Sequence, residues 1–267
     1  MLSGNHLLEM RDIHKGFGAV KAVQCVDLVL DRGEILGLLG DNAAGKSTLM
    51  KILTAFHRAD RGKIYMEGQE VHIHTPGDAR RLGIEMIYQD FSLAPNLSIA
   101  DNIFLGRELT RDFLGMRFID RKRMEEKAKS AMSVTNIRLD SVRTIVTDLS
   151  GGQRQAVAIA RATAFDAKVI IMDEPTASLS VKTIPPLLDL MVQLRNQGLS
   201  MIFISHRIQD VFSTCDRVMV LRRGKCVGVA CTQDTTIDEV TSLIAGTQKT
   251  FEKNSQHFNP VGLEEYD

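Results

Sequence analysis

The apolar stretch EILGLL (residues 34–39) runs directly into Gly40-Asp41-Asn42-Ala43-Ala44-Gly45-Lys46-Ser47. The first segment predicts a buried strand, the glycine-bounded segment a loop, and residues 46–54 a helix. The loop fits the phosphate-binding pattern G-x-x-x-x-G-K-[ST], and strand, loop, helix is the setting that pattern requires. Glycines let the backbone wrap a triphosphate with its N–H groups aimed at phosphate oxygens. The following helix adds the positive end of its dipole. Lys46 is placed to reach the β- and γ-phosphates, the Ser47 hydroxyl to ligate Mg²⁺, and Thr48 follows in the same helical turn. By residue frequencies alone such a match arises by chance in about one chain in a hundred of this length.

Outward from this loop, Val169 to Met172 is a continuous apolar run, expected of a parallel strand covered on both faces. It ends in Asp173-Glu174-Pro175. Carboxylates at the C-terminal end of such a strand lie where open α/β sheets place ligands. Asp173 suits a Mg²⁺ ligand, and Glu174 a general base for an attacking water. With Ser150 placed 23 residues before Asp173, Leu149-Ser150-Gly151-Gly152-Gln153 opens a predicted helix, placing a hydroxyl and two flexible glycines at a second anion-favouring helix N-terminus.

With the phosphate loop, LSGGQ and the Asp-Glu strand in that order, the chain resembles the ATP-binding-cassette (ABC) family over residues 7–245. The resemblance implies an α/β P-loop ATPase core with a mainly parallel sheet, an N-terminal antiparallel β-subdomain and an inserted helical subdomain at about 90–164. The domain is expected over 1–246, and the chain turns polar after Gly246, so 247–267 is expected to be a loosely held tail. The resemblance also implies that the signature of one subunit, Ser150 to Gln153, closes over ATP held by a second subunit in a head-to-tail homodimer. His206, one strand after Glu174 in ISHR (204–207), matches the switch histidine that contacts the γ-phosphate. Gln89 matches the glutamine that ligates Mg²⁺ and reports nucleotide state to the insertion. Phe17 occupies the position of an aromatic that stacks on adenine.

The stretches 40–48, 87–108, 177–183 and 204–225 are similar to monosaccharide importers of the ribose, xylose and fructose type, in their single-cassette form. That likeness implies ATP-driven uptake of a small sugar through transmembrane permease subunits fed by a periplasmic binding protein. It also implies a place on the cytoplasmic face of the inner membrane. The alternatives are a non-transport cassette protein acting on ribosomes or DNA, and an exporter ATPase. The first usually carries two cassettes or a long coiled-coil insertion, and the second is commonly fused to membrane helices. Two departures stand out. Ala43 replaces a usual Gly at a position expected to need positive φ, at a cost on the order of 1 kcal/mol. Ser180 replaces a frequent Asp.

Composition adds bounds. Lys plus Arg and Asp plus Glu each total 33 in 267 residues, so the formal net charge is zero. A strongly basic nucleic-acid binder is therefore not expected. No apolar run approaches the roughly 18 residues of a transmembrane helix, and MLSGNHLLEMRD lacks the basic start and apolar stretch of a signal peptide. Cys25, Cys215, Cys226 and Cys231 show no CxxC spacing and are read as reduced, mostly buried thiols of a cytoplasmic protein. From the N-terminus to about Gln89 the pattern is strand-like apart from the helix at 46–54, with turns at 31–33 and 59–62. Residues 102–108, 120–135 and 152–164 are predicted helices. Strand 201–204, helix 208–213 and strand 217–221 then alternate, as in an α/β core. His72 and His74 are expected on one strand face at the surface.

Overall fold

Alternation of apolar strands with amphipathic helices organises the chain around two sheets. The computed structural model describes residues 6–248 and 251, apart from 114, 136, 138 and 178. The first part contains β1 (His6–Phe17), β2 (Val20–Asp31), β3 (Ile35–Leu39), α1 (Lys46–Leu53), β4 (Arg61–Met66), β5 (Gln69–Val71), α2 (Pro76–Arg81) and β6 (Ile84–Ile87). The middle part contains α3 (Ile99–Phe104), β7 (Thr110–Phe113), β8 (Met116–Ile119), α4 (Arg121–Ser133) and α5 (Gly151–Thr163). The last part contains β9 (Val169–Asp173), α6 (Ile184–Asn196), β10 (Ser200–Ile204), α7 (Ile208–Thr214), β11 (Arg217–Arg222), β12 (Lys225–Cys231) and α8 (Ile237–Ala245).

The larger sheet has the order β12-β11-β3-β10-β9-β6, parallel from β11 to β6, with β12 antiparallel at one edge. The smaller one, β2-β1-β4-β5, is antiparallel. Side-chain alternation along each central strand divides the core. Leu36, Leu38, Ile171, Ile202, Ile204 and Leu221 face α1 and the antiparallel sheet. Ile35, Leu39, Ile170, Met172, Phe203 and Val220 face α5, α6, α7 and α8. Because both faces are covered, the strands read as unbroken apolar runs rather than alternating ones.

A third core joins α3, α4 and α5 through Ile103, Phe104, Met124, Ala128, Val157 and Ala160. The helix α5 serves two cores at once: Ile159 and Ala162 pack toward the sheet, Val157 and Ala160 toward α3 and α4. That dual burial explains its run of small and aliphatic residues.

Several expectations are corrected. The helix expected at 102–108 is α3, which starts at Ile99 under a Ser98 cap whose hydroxyl accepts the Asp101 N–H (3.1 Å). It stops at Phe104 because Leu105 turns extended and Gly106 follows at φ 74°. The middle segment is not wholly helical, since β7 and β8 pair as a hairpin with β8 exposed throughout. In the strand-like first third, Thr75 and Asp78 form a capping box that starts α2 behind Pro76. His72 and His74 are exposed and stacked (6.2 Å), but they lie beyond the end of β5 and not within a strand. Cys25 is exposed, unlike the buried Cys215 and the half-buried Cys226 and Cys231. Of the expected tail, Phe251 packs against the second core, and 249, 250 and 252–267 lie outside the described residues.

Candidate functional site

β3 delivers the chain to Gly40 and α1 takes it away at Lys46, so the loop sits at the C-terminal edge of the parallel strands. Gly40 (φ 146°) and Gly45 (φ 103°) adopt angles that side chains rarely tolerate. A Cβ at Gly40 would clash with the Leu221 carbonyl oxygen, and one at Gly45 would lie 2.5 Å from that of Ala22. The loop is thus pressed onto neighbouring backbone. Asp41, Asn42 and Ala43 form its exposed tip, while Gly40, Ala44, Gly45 and Lys46 are buried. Ala43 holds φ 66°, the left-handed conformation inferred from the sequence. Ser47 is exposed at the start of α1, with Thr48 half-buried beside it.

The Lys46 ammonium donates to the Gly40 and Asp41 carbonyls at 2.6 and 3.0 Å. Burial pushes its pKa down, and Glu174, Asp173 and Asp41 act against that. Asp173 closes β9 opposite Ile204 of β10. The Glu174 N–H donates to the Ile204 carbonyl (3.0 Å), and a positive φ of 52° turns the chain out of the strand. His206, just past β10, brings Nε2 to 2.6 Å from Glu174 Oε1. Burial, and then the Glu174 charge, raise the Asp173 pKa, while Lys46 lowers it. Lys46, Asp173, Glu174 and His206 thus form one electrostatic group around the loop.

The remaining site residues lie around this group. Gln89 is exposed, two residues past β6 in the loop that leads to α3. Ser150 caps α5: its hydroxyl accepts the Gln153 N–H (3.3 Å) and the Gln153 carboxamide oxygen accepts the Ser150 N–H (2.9 Å). Gly151 has nothing near the place of a Cβ, and Gly152 only the Thr183 methyl at 3.9 Å. Among the described residues, no hydrogen bond or ion pair joins Ser150 to Gln153 with residues 40–48. Phe17 ends β1, 44% exposed, with its ring edge-on to His57 at 5.0 Å and under the Lys15 ammonium at 5.4 Å.

Sequence reasoning missed the groups that brace this site. Gly224 N–H donates to Ala44 O (3.0 Å) and Gln24 N–H to Gly224 O (2.7 Å), holding the phosphate loop from behind. Gln155 of α5 donates to the Pro175 carbonyl beside Glu174 (3.3 Å). The only local signal for the first brace was a glycine turn between two strand-like runs at 223–225. Away from the loop, Asp12, His14 and Cys25 bring their polar atoms within 4.8 Å of one another. Arg61 already lies 2.9 Å from the Asp12 carboxylate and supplies that cluster's cation.

The family model described as ABC transporter matches residues 23–177. The chain is 47% identical over 238 residues to the xylose/arabinose import ATP-binding protein XylG of Sulfolobus acidocaldarius, covering 89% of this chain and 93% of that protein. It is 41% identical over 242 residues to the ribose import ATP-binding protein RbsA of Caldanaerobacter subterraneus subsp. tengcongensis, covering 91% of this chain but only 48% of that relative. Among solved structures it superimposes on the ADP conformation of an ATP-binding cassette of an ABC transporter with a TM-score of 0.73 at 24% identity, covering 90% and 95% of the two chains. With the nucleotide loop, signature and carboxylate strand in family order on this fold, the chain belongs to the ABC transporter ATP-binding family.

Proposed function

We propose that this chain is the ATP-hydrolysing subunit of an importer for a small sugar. The observation that carries hydrolysis is the Glu174–His206 contact at 2.6 Å, beside Lys46 and at the end of β9. Sugar import is supported by the relatives named for xylose, arabinose and ribose import.

The site fits Mg²⁺ by its chemistry. Ser47, Asp173 and Gln89 offer only oxygen donors, which suit a hard cation. Asp173 and Glu174 also place two carboxylates against the loop's one ammonium. These three residues would hold the ion, which when bound supplies charge to the phosphates being separated. The loop N–H groups and the N-terminus of α1 bind the phosphates. Lys46 exchanges its neutral carbonyl partners for charged phosphate oxygens, a stronger hydrogen bond. Glu174 accepts a proton from the attacking water, or orients it, and His206 holds Glu174 and contacts the γ-phosphate. The exposed Phe17 ring stacks on the base.

In this reading two copies pair head to tail, Ser150 to Gln153 of each completing the other's ATP site. They dock on permease subunits at the cytoplasmic face of the inner membrane, and a periplasmic sugar-binding protein supplies the sugar. Among the described residues no helix is long and apolar enough to cross a membrane. Cells lacking the gene should fail to accumulate at least one radiolabelled monosaccharide. The parent gene should restore uptake and the Glu174→Gln allele should not. Unchanged uptake of every pentose and hexose tested, with ATPase activity intact in the purified chain, would overturn the sugar assignment.

A further inference from the structure

The segment after Gln89 is held in an unusual way. Phe91 and Ser92 both lie in the left-handed region, at φ 61° and 44°. Consecutive side-chain-bearing residues there are strained and persist only where the surroundings enforce them. The enforcement is visible. Arg161 of α5 donates Nη2 to the Phe91 carbonyl (2.8 Å) and Nη1 to the Ser92 carbonyl (2.7 Å). The Phe91 side chain is buried in the second core, and its N–H closes a turn onto the Tyr88 carbonyl (2.8 Å).

Arg161 is an expensive residue to use only for backbone tethering, because a guanidinium loses hydration where it is buried. Glu85, the carboxylate that faces it, pairs instead with Arg107 at 2.7 Å. Arg161 therefore directs both of its described hydrogen bonds at the strained carbonyls. It also lies eleven residues along α5 from Ser150, about 16 Å at 1.5 Å per residue. Gln155, between them on the same helix, holds the Pro175 carbonyl beside Glu174.

We propose that Arg161 is a positioning residue that ties the Gln89 segment to the signature helix, so that Gln89 and Ser150 move as one body. One ATP contact of this subunit and the contact it offers to a second subunit's ATP are then mechanically joined. A shift of α5 carries Phe91 and Ser92 with it, and hence the Gln89 amide two residues before Phe91. This inference rests on the reading of Gln89 as a nucleotide-site ligand.

The test uses the full chain with Arg161→Met, Arg161→Lys, Gln89→Ala, and Ser92→Gly alone and in combination. Arg161→Met should lower kcat about tenfold or more, since a small misplacement at a reacting centre is costly, with KM for ATP within about twofold. The Mg²⁺ concentration for half-maximal activity should rise. Amides at 91–93 should exchange hydrogen faster, while those of β9 and β10 keep their protection. Adding Ser92→Gly should recover part of the loss, because glycine accepts positive φ without the guanidinium. Gln89→Ala with Arg161→Met should be no worse than Gln89→Ala alone, as for groups acting through one another. Parental turnover and exchange in Arg161→Met, or losses that simply multiply in the double variant, would overturn the proposal. Should Arg161→Met not fold, Arg161→Lys carries the test: it retains charge but not the two-carbonyl fork, and parental exchange at 91–93 would overturn the tie. Normal Mg²⁺ dependence in Gln89→Ala would instead remove the Gln89 reading, leaving exchange at 91–93 to decide the tie.

Discussion

Glu174 and His206 illustrate how far single residues decide this site. Their contact at 2.6 Å depends on two strand ends held in register, Ile204 beside Asp173, and on the Glu174 N–H bonded to Ile204. Glu174→Gln keeps size and shape but removes the proposed proton acceptor. Turnover should fall by about 10² or more, the usual range for a lost general base, while equilibrium ATP binding stays within a few-fold. Measured turnover within about twofold of the parent would assign the water to another group. Ala43 makes a different argument. Its φ of 66° puts a Cβ in the left-handed region at an exposed position where no packing is lost by removing it. Relief of about 1 kcal/mol in Ala43→Gly should tighten nucleotide binding by up to about fivefold. Unchanged or weaker affinity in a fluorescent-nucleotide titration would show that the loop has relaxed to suit alanine. Both positions stand out in the sequence because each lies inside a motif-bearing stretch, 40–48 and 169–175. Arg161, Gln155 and Gln24 do not, because each acts on backbone far away in the chain, where no local spacing announces it.

Among elements, the central strands were legible for a physical reason: burial on both faces demands an unbroken apolar run, and a helix of that length would be amphipathic. The hairpin β7–β8 left no such trace, since β8 is exposed and packs no face. The short α2 buries only Ala79, so its signal was confined to its cap, Thr75-Pro76-Gly77-Asp78. The charged joints between elements were equally hidden. Arg217, at the start of β11, donates Nε to Glu34 at 2.5 Å and Nη2 to the Val29 carbonyl at 2.8 Å. Glu34 also accepts the Asp31 N–H at 2.7 Å, so one buried pair joins β11 to the turn between β2 and β3. Burial raises the Glu34 pKa, and Arg217 lowers it. Arg217→Met leaves the carboxylate unpaired and should cost about 3–5 kcal/mol near neutral pH. The folded Glu34 would then hold its proton more tightly than the unfolded one, whose pKa is near 4.5. The penalty is therefore largest above the folded pKa and shrinks as pH falls toward 4.5. Urea denaturation at pH 5 and pH 8 should show the larger loss at pH 8, and an equal loss at both would rule out the charge as its source.

At the scale of the whole molecule, the phosphate loop and the signature are built as separate units. The loop sits between β3 and α1, the signature at the start of α5 under its own capping box. Among the described residues no hydrogen bond or ion pair connects them, and Ser150 is exposed. A hydroxyl and two glycines at a helix N-terminus suit an anion, and in the proposed reading the loop already cradles the triphosphate, which leaves the signature no role on the same nucleotide. On the reading proposed above, each site is completed by Ser150 and Gly151 of a second copy. Hydrolysis should then rise more steeply than linearly with protein concentration, because the active species is a pair. Complementation separates shared from private sites. Lys46→Ala removes the loop's ammonium, and Ser150→Arg blocks the signature with a bulky cation. Neither variant alone can assemble an intact site in a homodimer, so each should hydrolyse ATP at less than about a hundredth of the parental rate. A heterodimer of the two contains one site made from the parental loop of the Ser150→Arg chain and the parental signature of the Lys46→Ala chain. Random pairing makes half of the dimers mixed, each with one of two sites intact, so an equimolar mixture should recover up to about a quarter of parental activity if sites fire independently. A mixture as inactive as its parents would mean either that one composite site cannot turn over alone or that sites are not shared. Activity strictly proportional to concentration down to nanomolar protein, with monomers confirmed by light scattering, would overturn the shared site itself.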